Sequence, residues 1–141
     1  MRILGLDVGE KRIGVAICDP QERLALPLTT LHRNDDASTL AAIADIAGRE
    51  GVEEVLVGLP RSLDGSLGHQ ARQVEAFAEA LAQRMAIPIT RWDERLSTAE
   101  AERRLRAAGY SHRALRERRD AAAAAIVLQS YLDRRRGPTR D

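Results

Sequence analysis

Two runs rich in Ile, Val and Leu open the chain, Arg2-Ile3-Leu4-Gly5-Leu6-Asp7-Val8 and Arg12-Ile13-Gly14-Val15-Ala16-Ile17, parted by Gly9-Glu10-Lys11. That composition and punctuation predict a β-hairpin. Leu24 to Leu31 predicts a third strand, set at a sheet edge because Pro27 has no N–H to give to a ladder. From Asp35-Asp36 and Ser38 the period changes. Leu40, Ile43, Ala44 and Ala47 recur at helical spacing, and the helix stops near Gly48 or Gly51. Val52 to Gly58 is a short apolar run whose Val55-Leu56-Val57 does not alternate, which fits a strand buried on both faces. Strand, helix and strand in that order imply a parallel crossover.

The loop from Gly58 to Gly68 is dense in turn residues and leads into a helix with Val74, Phe77, Ala78, Leu81, Ala82 and Met85 as its buried stripe. Loops at the carboxyl ends of buried strands are where open α/β sheets place ligands, and a plain crossover is the alternative. Pro88 ends that helix and starts a strand from Ile87 to Trp92. Ser97 and Glu100 match a capping box, which leaves Asp93 and Glu94 in a strand-to-helix turn at the same sheet edge as the Gly58-Leu59-Pro60 loop. The next helix turns Ala101, Leu105 and Ala108 inward and ends at Gly109. Ser111 to Arg119 reads as a basic connector that delivers Asp120 ahead of Ala121 to Ala125 and Ile126 to Leu132. Alanines in a row favour a helix and let it lie close to a sheet. Beyond Asp133 the chain is expected to fray. Residues 1–136 form one domain, with 137–141 as a tail.

Composition narrows the classes of function. The chain of 141 residues is 44% hydrophobic but only 3% aromatic, so its core is aliphatic and stacking on bases is not its main means of recognition. A single cysteine, Cys18, excludes an internal disulfide framework and reads as a small buried hydrophobe. With no export signal and no span-length apolar run, a soluble cytoplasmic protein with no membrane partner is expected. The net charge of +1 hides an asymmetry: Arg103 to Arg136 holds ten arginines against Glu117, Asp120 and Asp133, a surplus of seven. Arginine suits bidentate phosphate contacts, so a polyanion partner is favoured over plain solvated helix faces.

Three acids carry the candidate chemistry. Asp7 sits inside the first strand, where Asp is depleted and a buried carboxylate is costly without a partner. It could simply accept hydrogen bonds from the turn amides of Gly9 and Glu10. Asp120 could likewise be an N-cap or first-turn acid favoured by the helix dipole. If Asp7, Glu94 and Asp120 converge, their mutual repulsion calls for divalent cations. Oxygen ligands without a His or Cys cluster point to Mg²⁺ or Mn²⁺ rather than zinc. Such a site can hold two ions about 3.5–4 Å apart and hydrolyse a nucleic-acid backbone.

The ILGLDVGEKRIGVA opening, the VGLPRSLDGS loop, the WDERLST segment and the RRDAAAAAIVLQSYL helix together resemble the YqgF family, also called RuvX, of the ribonuclease H-like superfamily. The similarity runs through essentially the whole chain. It implies an α/β fold with a mixed five-stranded sheet, antiparallel hairpin strands plus parallel strands, flanked by helices. It also implies a divalent-metal nuclease acting in 5′-end processing of precursor 16S ribosomal RNA, or a Holliday junction resolvase acting on branched DNA. Carried over by motif, Asp7, Glu94 and Asp120 are the catalytic metal ligands. Arg119 departs from the pattern, since the family usually has an apolar residue before the helix acid. Arg61, Arg95 and Thr98 match motif neighbours and are expected to contact phosphate or support the site. The partner is structured RNA or branched DNA, and the protein is a monomer or a homodimer.

Two rival readings remain at this point. The opening also resembles the phosphate-binding strands of actin-like ATPases and sugar kinases, but those need two lobes, and this chain has neither the length nor a Gly-x-x-x-x-Gly-Lys loop. The other rival is a non-catalytic RNA-binding factor of ribosome assembly, holding its partner through the arginine-rich half while the acids serve the fold.

Overall fold

The computed structural model describes residues 1–60, 68–93 and 98–136. The opening hairpin forms the centre of the sheet. β1 (Ile3–Val8) and β2 (Arg12–Cys18) run antiparallel with Leu6 opposite Val15 and Asp7 opposite Gly14. The Gly9 N–H donates to the Arg12 carbonyl and closes the turn. β3 (Ala25–His32) pairs antiparallel with β2 and lies at the edge expected of a strand carrying proline. Its register slips between Val15, opposite Thr29, and Ala16, opposite Pro27, so the proline sits beside a bulge.

α1 (Asp36–Glu50) is capped by Asp35, whose side chain accepts the Ser38 N–H, and it ends at Gly51 in the left-handed region. The crossover delivers β4 (Glu54–Leu59) parallel to β1, buried along its whole length as its lack of alternation predicts. α2 (His69–Arg84) follows, then β5 (Ile89–Asp93) parallel to β4. The sheet order is β3-β2-β1-β4-β5. α3 (Thr98–Ala107), α4 (His112–Glu117) and α5 (Arg119–Arg136) complete the chain.

Strand alternation sorts the core into two layers. Leu4, Leu6, Val8, Ile13, Val15, Val55 and Val57 pack with Ile43 of α1 and Phe77 and Leu81 of α2. On the other face Ile3, Ala16, Cys18 and Leu56 pack with Leu105 of α3 and Ala124, Ala125, Leu128 and Leu132 of α5. Cys18 is fully buried as expected, and burial pushes its thiol above the usual range. Among the described residues no helix is long and apolar enough to cross a membrane.

The alanine run of α5 does what small residues allow. A side chain on Gly5 would come within 2.9 Å of Leu128 Cβ, and one on Gly14 within 1.8 Å of the Asp120 carbonyl oxygen, so both strands meet the helix almost backbone to backbone. Gln129, fully buried, stitches α5 to the sheet margin: its Oε1 accepts the Ala25 N–H at 2.9 Å, and its Nε2 donates to the Arg23 carbonyl at 3.0 Å and to Asp133 at 3.0 Å. Gln129→Leu strands these buried groups. It is expected to cost about 2–3 kcal/mol, seen in a thermal melt as a fall of roughly 6–10 °C.

Further along α5, Tyr131 donates to Glu54 at 2.6 Å and Thr90 donates to the same carboxylate oxygen at 2.7 Å. Arg135 pairs with Glu22 at 3.1 Å and lies over the Tyr131 ring, which packs edge-on against Trp92. Fraying beyond Asp133 is therefore corrected: the helix continues to Arg136 because this cluster holds its last turn.

Other expectations also shift. α1 buries Ile46 fully and Ala44 only in part. α2 ends at Arg84 with Met85 as its cap, so Pro88 is not what stops it, and β5 starts two residues later than expected. Ala108 is exposed, since it lies past the last turn of α3 where the chain leaves through Gly109. The basic connector is itself mostly helical: Ser111 caps α4 by accepting the Ala114 N–H, and the Ala, Leu, Arg and Glu behind it are good helix formers. The tail 137–141 and Ser97 of the capping box lie outside the described residues.

Candidate active site

Asp7 occupies a partly buried position near the carboxyl end of the central strand. Alternation puts it on the face of Ile3 and Gly5, the α5 side of the sheet. Directly opposite is Gly14, and over Gly14 lies the backbone of Asp120. Strand acid, glycine and helix acid thus stand side by side although 113 positions of sequence separate Asp7 from Asp120. The glycine makes the convergence possible, because any side chain there would lift the start of α5 off the sheet.

Asp120 lies in the first turn of α5, not at its cap. The Arg118 carbonyl accepts the Ala122 N–H at 2.7 Å, so the helix begins ahead of the acid, and its N-terminal dipole favours a carboxylate. Arg12 Nε donates to Asp120 Oδ2 at 2.9 Å. The Arg12 side chain is 53% exposed and that of Asp120 30%, so solvent screens this pair and it adds little to stability. The Asp120 side chain is thus partly open to solvent.

β1, β4 and β5 are parallel, so their carboxyl ends share one edge of the sheet with Asp7, and β5 ends at Asp93 paired with Leu59. Glu94 is the next residue in the chain. It lies outside the described residues, as do Arg61 and Arg95, while Thr98 opens α3 with its side chain outside them. Two of the three expected acids are therefore described, and both neighbour Gly14. Among the described residues no group of three His, Cys, Asp or Glu is placed to hold a metal ion. The donor chemistry of Asp7 and Asp120, both hard carboxylate oxygens, fits Mg²⁺ or Mn²⁺.

On the opposite face of the sheet Arg33 braces the hairpin tip. Its Nη1 donates to the Gly9 carbonyl at 2.8 Å, its backbone N–H donates to the Lys11 carbonyl at 2.8 Å, and its guanidinium lies 5.1 Å over the Phe77 ring. It also lines a cleft of about 450 Å³ with Glu10, Asn34, Asp35 and Gln70. The motif reading singled out neither Arg33, Arg12 nor Gly14. A glycine inside a strand does signal close backbone approach. Nothing in the pattern could pair Arg12 with an acid 108 residues away.

A mixed sheet in this order, with helices on both faces, is a ribonuclease H-like fold. Its backbone matches the structure of T. thermophilus RuvC in complex with Holliday junction substrate at a TM-score of 0.64, with 18% identity over 97% of each chain, a likeness of fold. The chain belongs to the RuvX family: the model described as RuvX, Holliday junction resolvase, matches residues 1–134. A relative from Moorella thermoacetica, named "Putative pre-16S rRNA nuclease", is 50% identical over 134 residues, 95% of this chain and 96% of the relative. One of the same name from Chloroflexus aggregans is 46% identical over 136 residues, 96% of each.

Proposed function

We propose that this protein is a divalent-metal-dependent nuclease that hydrolyses phosphodiesters in the 5′-end processing of precursor 16S ribosomal RNA. The observation that supports it most is the placement of Asp7 and of the Asp120 backbone on either side of Gly14 in a member of the RuvX family. Asp7, Glu94 and Asp120 are the ligands of Mg²⁺ or Mn²⁺, two ions in the complete site. Bound there, the ions supply Lewis acidity that turns water into a nucleophile and neutralises the departing oxygen. Asp7 contributes a carboxylate held by the central strand of the sheet. Asp120 contributes one carried by the helix terminus and open to an approaching strand of nucleic acid. Arg61, Arg95 and Thr98 contact phosphate, and Arg113, Arg116 and Arg119, exposed around α4 and the head of α5, supply the cationic approach.

The test is cleavage of a labelled precursor-type RNA and of a four-way DNA junction in Mg²⁺ or Mn²⁺, by the native protein and by Glu94→Gln. The native protein is expected to cut the RNA. Glu94→Gln should cut it roughly 10²- to 10³-fold more slowly while binding it about as well, because ligation and docking use different residues. An undiminished rate in the variant removes Glu94 from the site. Cutting of the junction alone moves the substrate to branched DNA, and salt-sensitive binding without cutting of either overturns the nuclease reading in favour of an RNA-binding factor.

A further inference from the structure

We infer that Arg12 is a movable counter-cation of this site: it holds the Asp120 carboxylate until a divalent ion displaces it, and then turns to a substrate phosphate. The inference rests on the reading of Asp120 as a metal ligand and adds a residue and an order of events to it.

Arg12 is the first residue of β2, two positions before Gly14 and on the same face of the strand, so it lies beside the point where α5 descends onto the sheet. Its contact with Asp120 is through Nε alone, at 2.9 Å. A guanidinium has five N–H donors in a fork suited to phosphate, and a single-point contact leaves that fork unused. The side chain is more than half exposed, so it can leave Asp120 at a small cost in packing. With a divalent ion bound at Asp120, the Arg12 guanidinium would face like charge and would leave the carboxylate. The same arginine, released beside the site, meets an anionic backbone with its fork free.

Mn²⁺ titration followed by electron paramagnetic resonance, on protein without substrate, separates the possibilities in a cycle of native, Arg12→Gln, Asp120→Asn and the double variant, each confirmed folded by circular dichroism. Arg12→Gln is expected to bind Mn²⁺ roughly three- to fivefold more tightly, the range set by an exposed ion pair, and the effect should vanish in the Asp120→Asn background. Unchanged or weaker binding in Arg12→Gln, with Asp120→Asn impaired, overturns the inference and leaves the metal site standing. A tightening that persists in the double variant overturns it as well, since Arg12 would then act through the general field. Native-like Mn²⁺ binding by Asp120→Asn instead removes the reading beneath it. The second half is read from a fluorescein-labelled hairpin RNA, kept intact in Ca²⁺ as checked on a gel. The slope of log affinity against log salt should fall by about one in Arg12→Gln in Ca²⁺ and stay unchanged in EDTA. Equal slopes in Ca²⁺ overturn the turn toward phosphate.

Discussion

Asp7→Asn is expected to lower the rate of RNA cleavage by about 10³-fold or more without loosening the fold. Asparagine has nearly the shape of aspartate, and the position opposite is Gly14, which has no side chain to disturb. β1 therefore keeps its register between β2 and β4. What changes is one negative charge and one hard oxygen ligand, the two things a divalent ion needs from this strand. Asp7→Glu keeps the charge but extends it by a methylene. A displacement of about 1 Å at a reacting centre costs on the order of 10²-fold, so the rate should fall between native and Asp7→Asn. Single-turnover cleavage and a thermal melt of the three proteins together check both halves, and a native rate in Asp7→Asn removes the strand acid from the chemistry.

Gly14→Ala is the second large effect, and it reaches the site through the backbone. The added Cβ would meet the Asp120 carbonyl oxygen at 1.8 Å and the Ala121 nitrogen at 3.0 Å. A flexible side chain could swing aside, but a helix start cannot, so α5 must rise off the sheet at its first turn. Overpacking of this kind costs about 3 kcal/mol, or roughly 10 °C in melting temperature. The lifted Asp120 should cost on the order of 10²-fold in rate even in protein that is fully folded. Gly5→Ala serves as the comparison. It presses on Leu128, two turns further into α5, and should cost stability with less loss of rate per degree of melting temperature.

These two residues also mark where sequence ceases to inform. Strand identities, the edge place of β3 and the parallel crossover could be read from the chain because they follow from local patterns: β-branched runs, the edge-placing Pro27, the unbroken Val55-Leu56-Val57. Asp7 stood out because an acid within such a run contradicts its surroundings. The α4 helix was missed because charged, polar segments carry no apolar rhythm, only propensity and the Ser111 cap. The extension of α5 to Arg136 was missed because it depends on Glu22 and Glu54, residues brought up by the fold from far away. The Arg12 contact escaped for the same reason. What lies between elements remote in sequence has no periodic signature, and an active site is made of just such contacts.

The two outer strands have a consequence for how molecules of this protein meet each other. An open strand is a template on which another chain can extend the sheet, and long flat ones lead to aggregation. On one flank Pro27 withholds a donor and the adjoining bulge twists β3 away from flatness. The other flank is only five residues long and carries Arg91 at its middle, engaged by Glu75 and Glu79 of α2. Neither margin offers a clean row of amides and carbonyls, so self-polymerisation through the sheet is disfavoured at both ends. Concentrated solutions should stay clear on standing, without the thioflavin response that stacked strands give.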